Sequence, residues 1–200
     1  VLRLLNLLEN FTIGDLPADG AEWHQTLAEA ARIAYEFRNR LIADPDTGPV
    51  PIEAFLDKDQ ARSLAAGIRH RPDRRPLARQ QAARGDTAYV CAVDRNRNAV
   101  SLISSLFEGF GTGLCEPQTG IVFHNRGSGF SATQDHPNRL APAKRPLHTI
   151  IPGLVSRNDR PVFSLGVTGG PYQPVGQAQL ISGMIDHGLV SPVAQCDAER

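Results

Sequence analysis

The hydrophobic pattern of this 200-residue chain changes from a helical to a strand-like period at Thr87. Over residues 21–42 the apolar side chains recur at steps of three and four, which predicts an amphipathic helix. Residues 88–93 and 99–106 are short β-favouring runs joined by the polar turn cluster 94–98, and this predicts a β-hairpin. Helices followed by hairpins favour an α+β fold with a mostly antiparallel sheet covered by helices.

Weaker signals predict the remaining elements, and turn-forming residues mark where each begins or ends. They predict helices over residues 2–8, 58–68 and 175–187, a third strand over 120–124 and a second hairpin turning at 157–160. They also predict an ordered loop or a lid over 128–145 and a further helix beginning at Ser191. Residues 69–85 are polar and basic with few large apolar side chains. Such a composition predicts an exposed linker that tolerates a cut.

The charge balance excludes wholesale attraction to nucleic acid or to an anionic membrane. Lys and Arg together number 21, as do Asp and Glu, so the formal net charge is zero. The basic cluster between residues 69 and 84 lacks interleaved aromatic residues for base stacking, which favours a solvated connector. The apolar opening is too short to span a bilayer, which needs roughly 20 apolar residues. We therefore expect neither a nucleic-acid nor a membrane partner.

No cofactor and no metal is expected from the residue spacing. The three cysteines are far apart, and the six histidines show no paired-ligand spacing. The glycine-rich passage 109–113 lacks the Lys-Ser/Thr that follows a phosphate loop. The chain starts without Met and stops inside a predicted helix, so we expect a fragment of a longer protein. Its compartment, cytoplasmic or periplasmic, stays open.

Thr87 is the candidate nucleophile. A threonine hydroxyl needs a base, and the free α-amine of a chain-terminal threonine can supply one. Thr87 would reach that state by attacking the carbonyl of Asp86, at the junction between the exposed linker and a strand that holds the new terminus. Any threonine that begins a strand shows the same local pattern. The residues alone therefore leave open whether Thr87 is a nucleophile or an ordinary strand residue.

Gly169-Gly170 lies between a predicted strand and a predicted helix. Two successive backbone N–H groups without side-chain crowding are suited to a developing oxyanion. A plain tight turn is the alternative at this point of the argument.

Taken in order, several short motifs resemble those of the γ-glutamyltransferase family of N-terminal-nucleophile hydrolases, and the resemblance covers essentially the whole chain. They are ADPD at 43–46, DTAYV at 86–90, DRNRNAVS at 94–101, FGTG at 110–113, GIVFHN at 120–125, KRPL at 144–147 and GVTGG at 166–170. The resemblance implies a four-layered αββα sandwich. It also implies a precursor cut before Thr87, with residues 1–86 ending the large subunit and residues 87–200 beginning the small catalytic subunit.

The resemblance implies a role for each matching residue. Thr87 is the expected nucleophile, and Asp86 lies on the other side of the processed bond. Gly169 and Gly170 are the expected oxyanion hole. Ser105 falls where the family places a hydroxyl that supports the nucleophile through a hydrogen bond.

The predicted substrate site departs from that of glutamyl-transferring members. Phe107 stands where they carry Asn, and His148-Thr149 replaces a Ser-Ser pair. Arg126 and Gly129 stand where they have two residues, the second an Asp, that hold the α-amino group. Arg126 would repel an ammonium and favour a carboxylate, although a salt bridge within its loop is the alternative. We therefore expect an amidohydrolase or acylase that acts on an amide bearing a carboxylate.

Two alternatives stay open at the level of function. One is a true γ-glutamyl transferase or glutathione hydrolase, and the other is a catalytically silent family member or fragment with a binding or structural role. The expected partners are a small-molecule amide or γ-glutamyl substrate and the two subunits of one precursor. The oligomeric state is open, with a homo-oligomer as one option.

Overall fold

The computed structural model describes residues 1–68 and 87–189 of the chain. Its helices are α1 (Leu2–Leu8), α2 (Ala21–Leu41), α3 (Ile52–Leu56), α4 (Lys58–Ile68) and α5 (Gln173–Ile185), and its strands are β1 (Ala88–Val93), β2 (Ala99–Ser104), β3 (Gly153–Arg157) and β4 (Arg160–Leu165). This order confirms the predicted α+β class. The predicted linker, Asp86 and the helix predicted to begin at Ser191 lie outside the described residues.

The described residues divide into two compact units. A helical unit contains residues 1–68 and 174–189, and a strand unit contains residues 87–173. The predicted division at residues 86 and 87 concerns where the chain is cut, and it stays a prediction.

The helical unit is built around α2. Its residues Trp23, Leu27, Ala30 and Ala34 are buried and follow helical spacing, as predicted. They join Leu4, Leu7 and Leu8 of α1 in one apolar core. The sequence did not predict α3, a five-residue helix that begins directly after Pro51. So short a segment carries too few residues for a helical period to emerge.

Arg3 interrupts the apolar pattern of α1 but is itself buried. Its guanidinium donates to the Phe55 carbonyl oxygen at 3.2 Å and to Gln60 Oε1 at 2.7 Å, and it lies 4.1 Å from the centroid of the Phe37 ring. The side chain therefore satisfies polar groups at the end of α3 and in α4 while packing against α2.

The strand unit contains two antiparallel hairpins. In the turn between β1 and β2, Asp94 Oδ1 accepts the N–H groups of Asn96 and Asn98 at 2.8 and 2.9 Å, which fixes this turn locally. Between β3 and β4, Asn158 and Asp159 have φ of +52° and +60°, as a two-residue type I′ turn requires. Both predicted hairpins are confirmed.

The predicted strand over 120–124 is wrong. Only an isolated bridge between Cys115 and Val122 forms there. The Glu116 carboxylate accepts the N–H groups of Gln118 and Thr119, and Gly120 has a φ of +72°, so residues 116–120 form a tight turn that takes up the first residue of the predicted strand. Too few extended residues remain beyond it for a strand.

Candidate functional site

Thr87 is the half-buried residue directly before β1. Because Ala88 pairs with Ser104, continuing the same antiparallel register places Thr87 opposite Ser105. Side chains alternate along a strand, so Thr87 lies on the same side of β1 as Tyr89. The register therefore predicts that the two hydroxyl residues linked by the resemblance lie opposite each other at the open end of the first hairpin.

Ser105 and Phe107 form a tight local turn after β2. Ser105 Oγ accepts the backbone N–H of Phe107 at 3.0 Å. The Ser105 hydroxyl keeps its own proton to donate, and its predicted hydrogen bond to Thr87 stays a prediction. Phe107 has a φ of +87°, a left-handed conformation that a bulky residue rarely adopts. Backbone strain of this kind costs about 1–3 kcal/mol and concentrates at functional sites.

Arg126 is 1% exposed and lies at the centre of the predicted substrate residues. Its Nη1 donates to Thr149 Oγ1 at 2.8 Å, and its Nη2 donates to the Ser105 carbonyl oxygen at 3.3 Å. Its guanidinium carbon lies 5.2 Å from the centroid of the Phe107 ring. Three predicted site residues from two separate segments, residues 105–107 and Thr149, thus surround one guanidinium.

The positive charge of Arg126 has no acidic partner among residues 1–68 and 87–189, where every ion pair involves other residues. Its buried Nε also has no hydrogen-bond acceptor within these ranges. Burial lowers the pKa of the guanidinium, which nevertheless stays protonated because an arginine side chain does not lose its proton in proteins. The predicted alternative, a salt bridge within the loop, is therefore absent from the described part of the chain.

Two histidines add to the electrostatics around Arg126. Burial, followed by the nearby charges of Arg126 and His124, lowers the pKa of His148. His148 Nδ1 accepts the Ile150 N–H at 3.3 Å, and His124 Nδ1 accepts the Arg126 N–H at 3.2 Å. The lowered pKa favours a neutral His148 at pH 7. The sequence analysis did not single out His124, which sits two residues before Arg126.

Gly169 and Gly170 join β4 to a short 3₁₀ helix over Gly170–Tyr172. Their φ values are +103° and +53°, so glycine suits both positions. A Cβ built on Gly170 would lie 3.9 Å from Cε2 of Phe107. The Phe107 ring therefore lies near both Gly170 and the Arg126 guanidinium. That Gly169 and Gly170 form an oxyanion hole stays a prediction.

Gln173 is a site neighbour that the sequence analysis missed. It is fully buried, and its Oε1 accepts the backbone N–H of Ile151 at 3.2 Å, two residues beyond Thr149. It therefore ties the segment after Gly170 to the segment that carries His148. A glutamine at the start of an apolar helix gives no periodic signal that would single it out.

The described residues hold no group of three or more His, Cys, Asp or Glu side chains arranged to bind a metal ion. Cys91 and Cys115 are free and exposed. Within residues 1–68 and 87–189, no helix combines the length and the apolar character needed to cross a membrane.

The sequence of this chain is similar to those of several known proteins. The family model described as Gamma-glutamyltranspeptidase matches residues 1–200. The chain is 36% identical over 191 residues to the glutathione hydrolase-like YwrD proenzyme of Bacillus subtilis, covering 94% of this chain and 35% of the relative. It is 34% identical over 188 residues to the oxamate amidohydrolase proenzyme of Klebsiella pneumoniae, with the same coverage of 94% and 35%.

A solved structure is similar over the same extent. The cephalosporin acylase from Bacillus halodurans has a TM-score of 0.73 and 32% identity, covering 94% of this chain and 34% of that one. The chain thus spans about a third of the length of the curated relatives that it matches.

Proposed function

Because the chain belongs to the gamma-glutamyltranspeptidase family, we propose that it carries the catalytic centre of a self-processing amidohydrolase that acts on a carboxylate-bearing amide. Thr87 is the nucleophile, and Arg126 binds the substrate carboxylate. The proposal includes the αββα sandwich and the division into two subunits at Thr87.

One observation carries the choice of substrate class. Arg126 is a buried guanidinium with an unpartnered Nε and no acidic partner among the described residues. Burying an unpaired charge is costly, so a site of this kind is completed by an anion. A carboxylate supplies two acceptor oxygens, and its hydrogen bonds to a guanidinium are among the strong ones. A substrate ammonium would instead meet like charge.

The name of one relative agrees with this substrate class, and that of a second supports an acylase activity alone. One relative is named for amide hydrolysis of oxamate, a small molecule that carries both an amide and a carboxylate. Another, 31% identical, is an acylase proenzyme of Pseudomonas. Relatives named glutathione hydrolase, such as that of Escherichia coli at 30% identity, favour γ-glutamyl transfer as the second candidate.

Processing comes first in the proposed mechanism. Thr87 Oγ1 attacks the Asp86 carbonyl carbon and the peptide C–N bond breaks, which leaves an ester on Thr87 and frees its α-amine. Water hydrolyses that ester, so Asp86 becomes a carboxyl terminus and Thr87 an amino terminus. The α-amine can then accept the proton of the Thr87 hydroxyl in each turnover.

In turnover, Thr87 Oγ1 attacks the substrate amide and the oxyanion forms beside the N–H groups of Gly169 and Gly170. The amine leaves with a proton, and water resolves the acyl-enzyme to the free acid. Arg126 contributes by orientation, because a substrate held at its carboxylate presents the amide carbon at a fixed distance from the nucleophile.

Replacing Arg126 with Gln is expected to lower kcat/KM for a dicarboxylic monoamide roughly 10- to 100-fold, because charge-assisted hydrogen bonds are lost. The same variant of the complete gene product should act on the matching neutral amide, with the carboxylate esterified, within about threefold of wild type. The ratio of the two rates is the measurement, since any loss of folded protein cancels in it. Arg126→Lys keeps the charge but loses the planar, two-pronged guanidinium. Its ratio of rates should fall between those of wild type and Arg126→Gln.

Arg62→Gln serves as the control, because Arg62 is an exposed helix residue paired with Asp59. It should leave the ratio unchanged. A γ-glutamyl anilide that turns over faster than the monoamide in wild type, with Arg126→Gln neutral toward both, would contradict the proposed substrate class and favour γ-glutamyl transfer.

A further inference from the structure

We propose that Tyr89 is a positioning residue that sets the distance between Thr87 and the glycine pair by joining β1 to the end of β4. The inference rests on the proposed function, in which Thr87 attacks and Gly169-Gly170 receives the oxyanion. It assigns a role to Tyr89 and Gly166, which lie within the DTAYV and GVTGG motifs but were given no function by the resemblance.

The ring of Tyr89 packs directly on Gly166. A Cβ built on Gly166 would lie 2.2 Å from Cδ2 and 2.5 Å from Cε2 of Tyr89, closer than any real contact. Gly166 does not have a positive φ, unlike Gly169 and Gly170. Its requirement for glycine therefore comes from the Tyr89 ring and not from its own backbone conformation.

The Tyr89 hydroxyl extends the same connection. It shares a 2.5 Å hydrogen bond with Ser164 Oγ of β4, and Ser101 Oγ of β2 lies 3.3 Å away as a donor. In the described residues, β1 pairs only with β2, and β3 only with β4. The Tyr89 side chain thus provides a polar link between hairpins that share no backbone ladder.

The position of this link along the chain gives it a functional consequence. Tyr89 lies two residues after Thr87 on the same side of β1, and Gly166 lies three residues before Gly169. A second link, from Arg97 Nη2 to the Pro161 carbonyl oxygen at 3.1 Å, joins the hairpins near their turns, away from Thr87. Ser101 Oγ of β2 also donates to the Leu165 carbonyl oxygen at 3.4 Å near this end. The Tyr89 ring and hydroxyl therefore act together with that bond at the end where the proposed chemistry occurs. An error of about 1 Å in such a placement can cost on the order of 100-fold in rate.

The test compares four variants of the complete gene product: Tyr89→Phe, Gly166→Ala, Tyr89→Ala and the double variant Tyr89→Ala/Gly166→Ala. We expect Tyr89→Phe to lower kcat about 3- to 10-fold and Gly166→Ala about 10- to 30-fold, with KM within twofold, since substrate orientation by Arg126 is untouched. Rates are expressed per molecule cleaved before Thr87, and circular dichroism checks that each variant is folded.

The effects of the Tyr89 and Gly166 substitutions on kcat should not add, and this distinguishes a positioning role from a general loss of structure. If the ring is what excludes a Cβ, Gly166→Ala should cost less than about twofold once Tyr89 is already Ala. Arg97→Asn is the matched control, because Asn tolerates the φ of +68° at this position while removing the link to Pro161. It should keep kcat within twofold of wild type.

The outcomes distinguish this inference from the proposed function. A wild-type protein that is cut and active, with Tyr89→Phe and Gly166→Ala both within twofold of its kcat, would overturn the inference alone. Equal rate losses from Gly166→Ala in both Tyr89 backgrounds would overturn it as well. A wild-type protein that is never cut before Thr87 would instead overturn the proposed function. Should Gly166→Ala fail to fold, Tyr89→Phe still decides, because it changes one hydroxyl only.

Discussion

Thr87→Ala is expected to leave the complete gene product as a single uncut chain and to reduce amide hydrolysis on the order of 10⁴-fold or more. Without the hydroxyl, no group at this position can attack the Asp86 carbonyl, and no α-amine is released to serve as the base. Intact mass and N-terminal sequencing measure the first effect. Wild-type protein should give two pieces, one of which begins at Thr87.

Thr87→Ser should restore both cleavage and activity in part, because it keeps the hydroxyl and loses only a methyl group. Thr133→Ala removes a hydroxyl from an exposed residue of the strand unit and should process normally. A wild-type chain that stays intact indefinitely would favour the alternative of a catalytically silent family member. An uncut but fully active Thr87→Ala variant would assign the chemistry to another residue.

The parts of the fold that the sequence predicted are those with local causes. The first hairpin turns where Asp94 caps two backbone N–H groups, and the second turns where Asn158 and Asp159 adopt left-handed conformations. Helix α2 has 21 residues, long enough for its apolar period to emerge. Each of these signals is contained within one segment, so no knowledge of neighbouring elements was needed.

The features that sequence patterns missed depend on contacts between distant segments. Arg3 interrupts the apolar pattern of α1, and its acceptors, the Phe55 carbonyl and Gln60, lie more than 50 positions away along the chain. Nothing near Gly166 in sequence shows that a tyrosine ring occupies the space beside it. The strand expected over 120–124 is wrong for a local reason, because Gly120 belongs to the tight turn fixed by Glu116 and the residues beyond it form an isolated bridge at Val122.

The candidate site combines both kinds of information. Its residues were chosen by resemblance, and the structure places Ser105, Phe107, Thr149 and Gly170 around the Arg126 side chain directly or through the Phe107 ring. The sequence predicted a cation in the substrate site and said nothing of its burial. The guanidinium is enclosed and rigidly bonded, so it fixes the geometry of its neighbours as well as the charge of the site.

Gly170→Ala is expected to lower kcat about 100- to 1000-fold, the range found when one oxyanion donor is lost. Gly170 has a φ of +53°, and an L-residue there costs roughly 1–2 kcal/mol. Relief of that strain rotates the backbone and turns the N–H away from the developing charge. The new Cβ would also meet the Phe107 ring at 3.9 Å, which limits any compensating shift in that direction.

Steady-state kinetics should show the loss in kcat with little change in KM, because an oxyanion exists only after attack and the substrate is bound before it. Gly113→Ala is the matched control: Gly113 has a similar φ of +72° and open space around it, so it carries the strain without facing the site. The control should be somewhat less stable yet retain kcat within about twofold. If the two variants lose rate equally, strain alone explains the defect, and the oxyanion role of Gly170 is wrong.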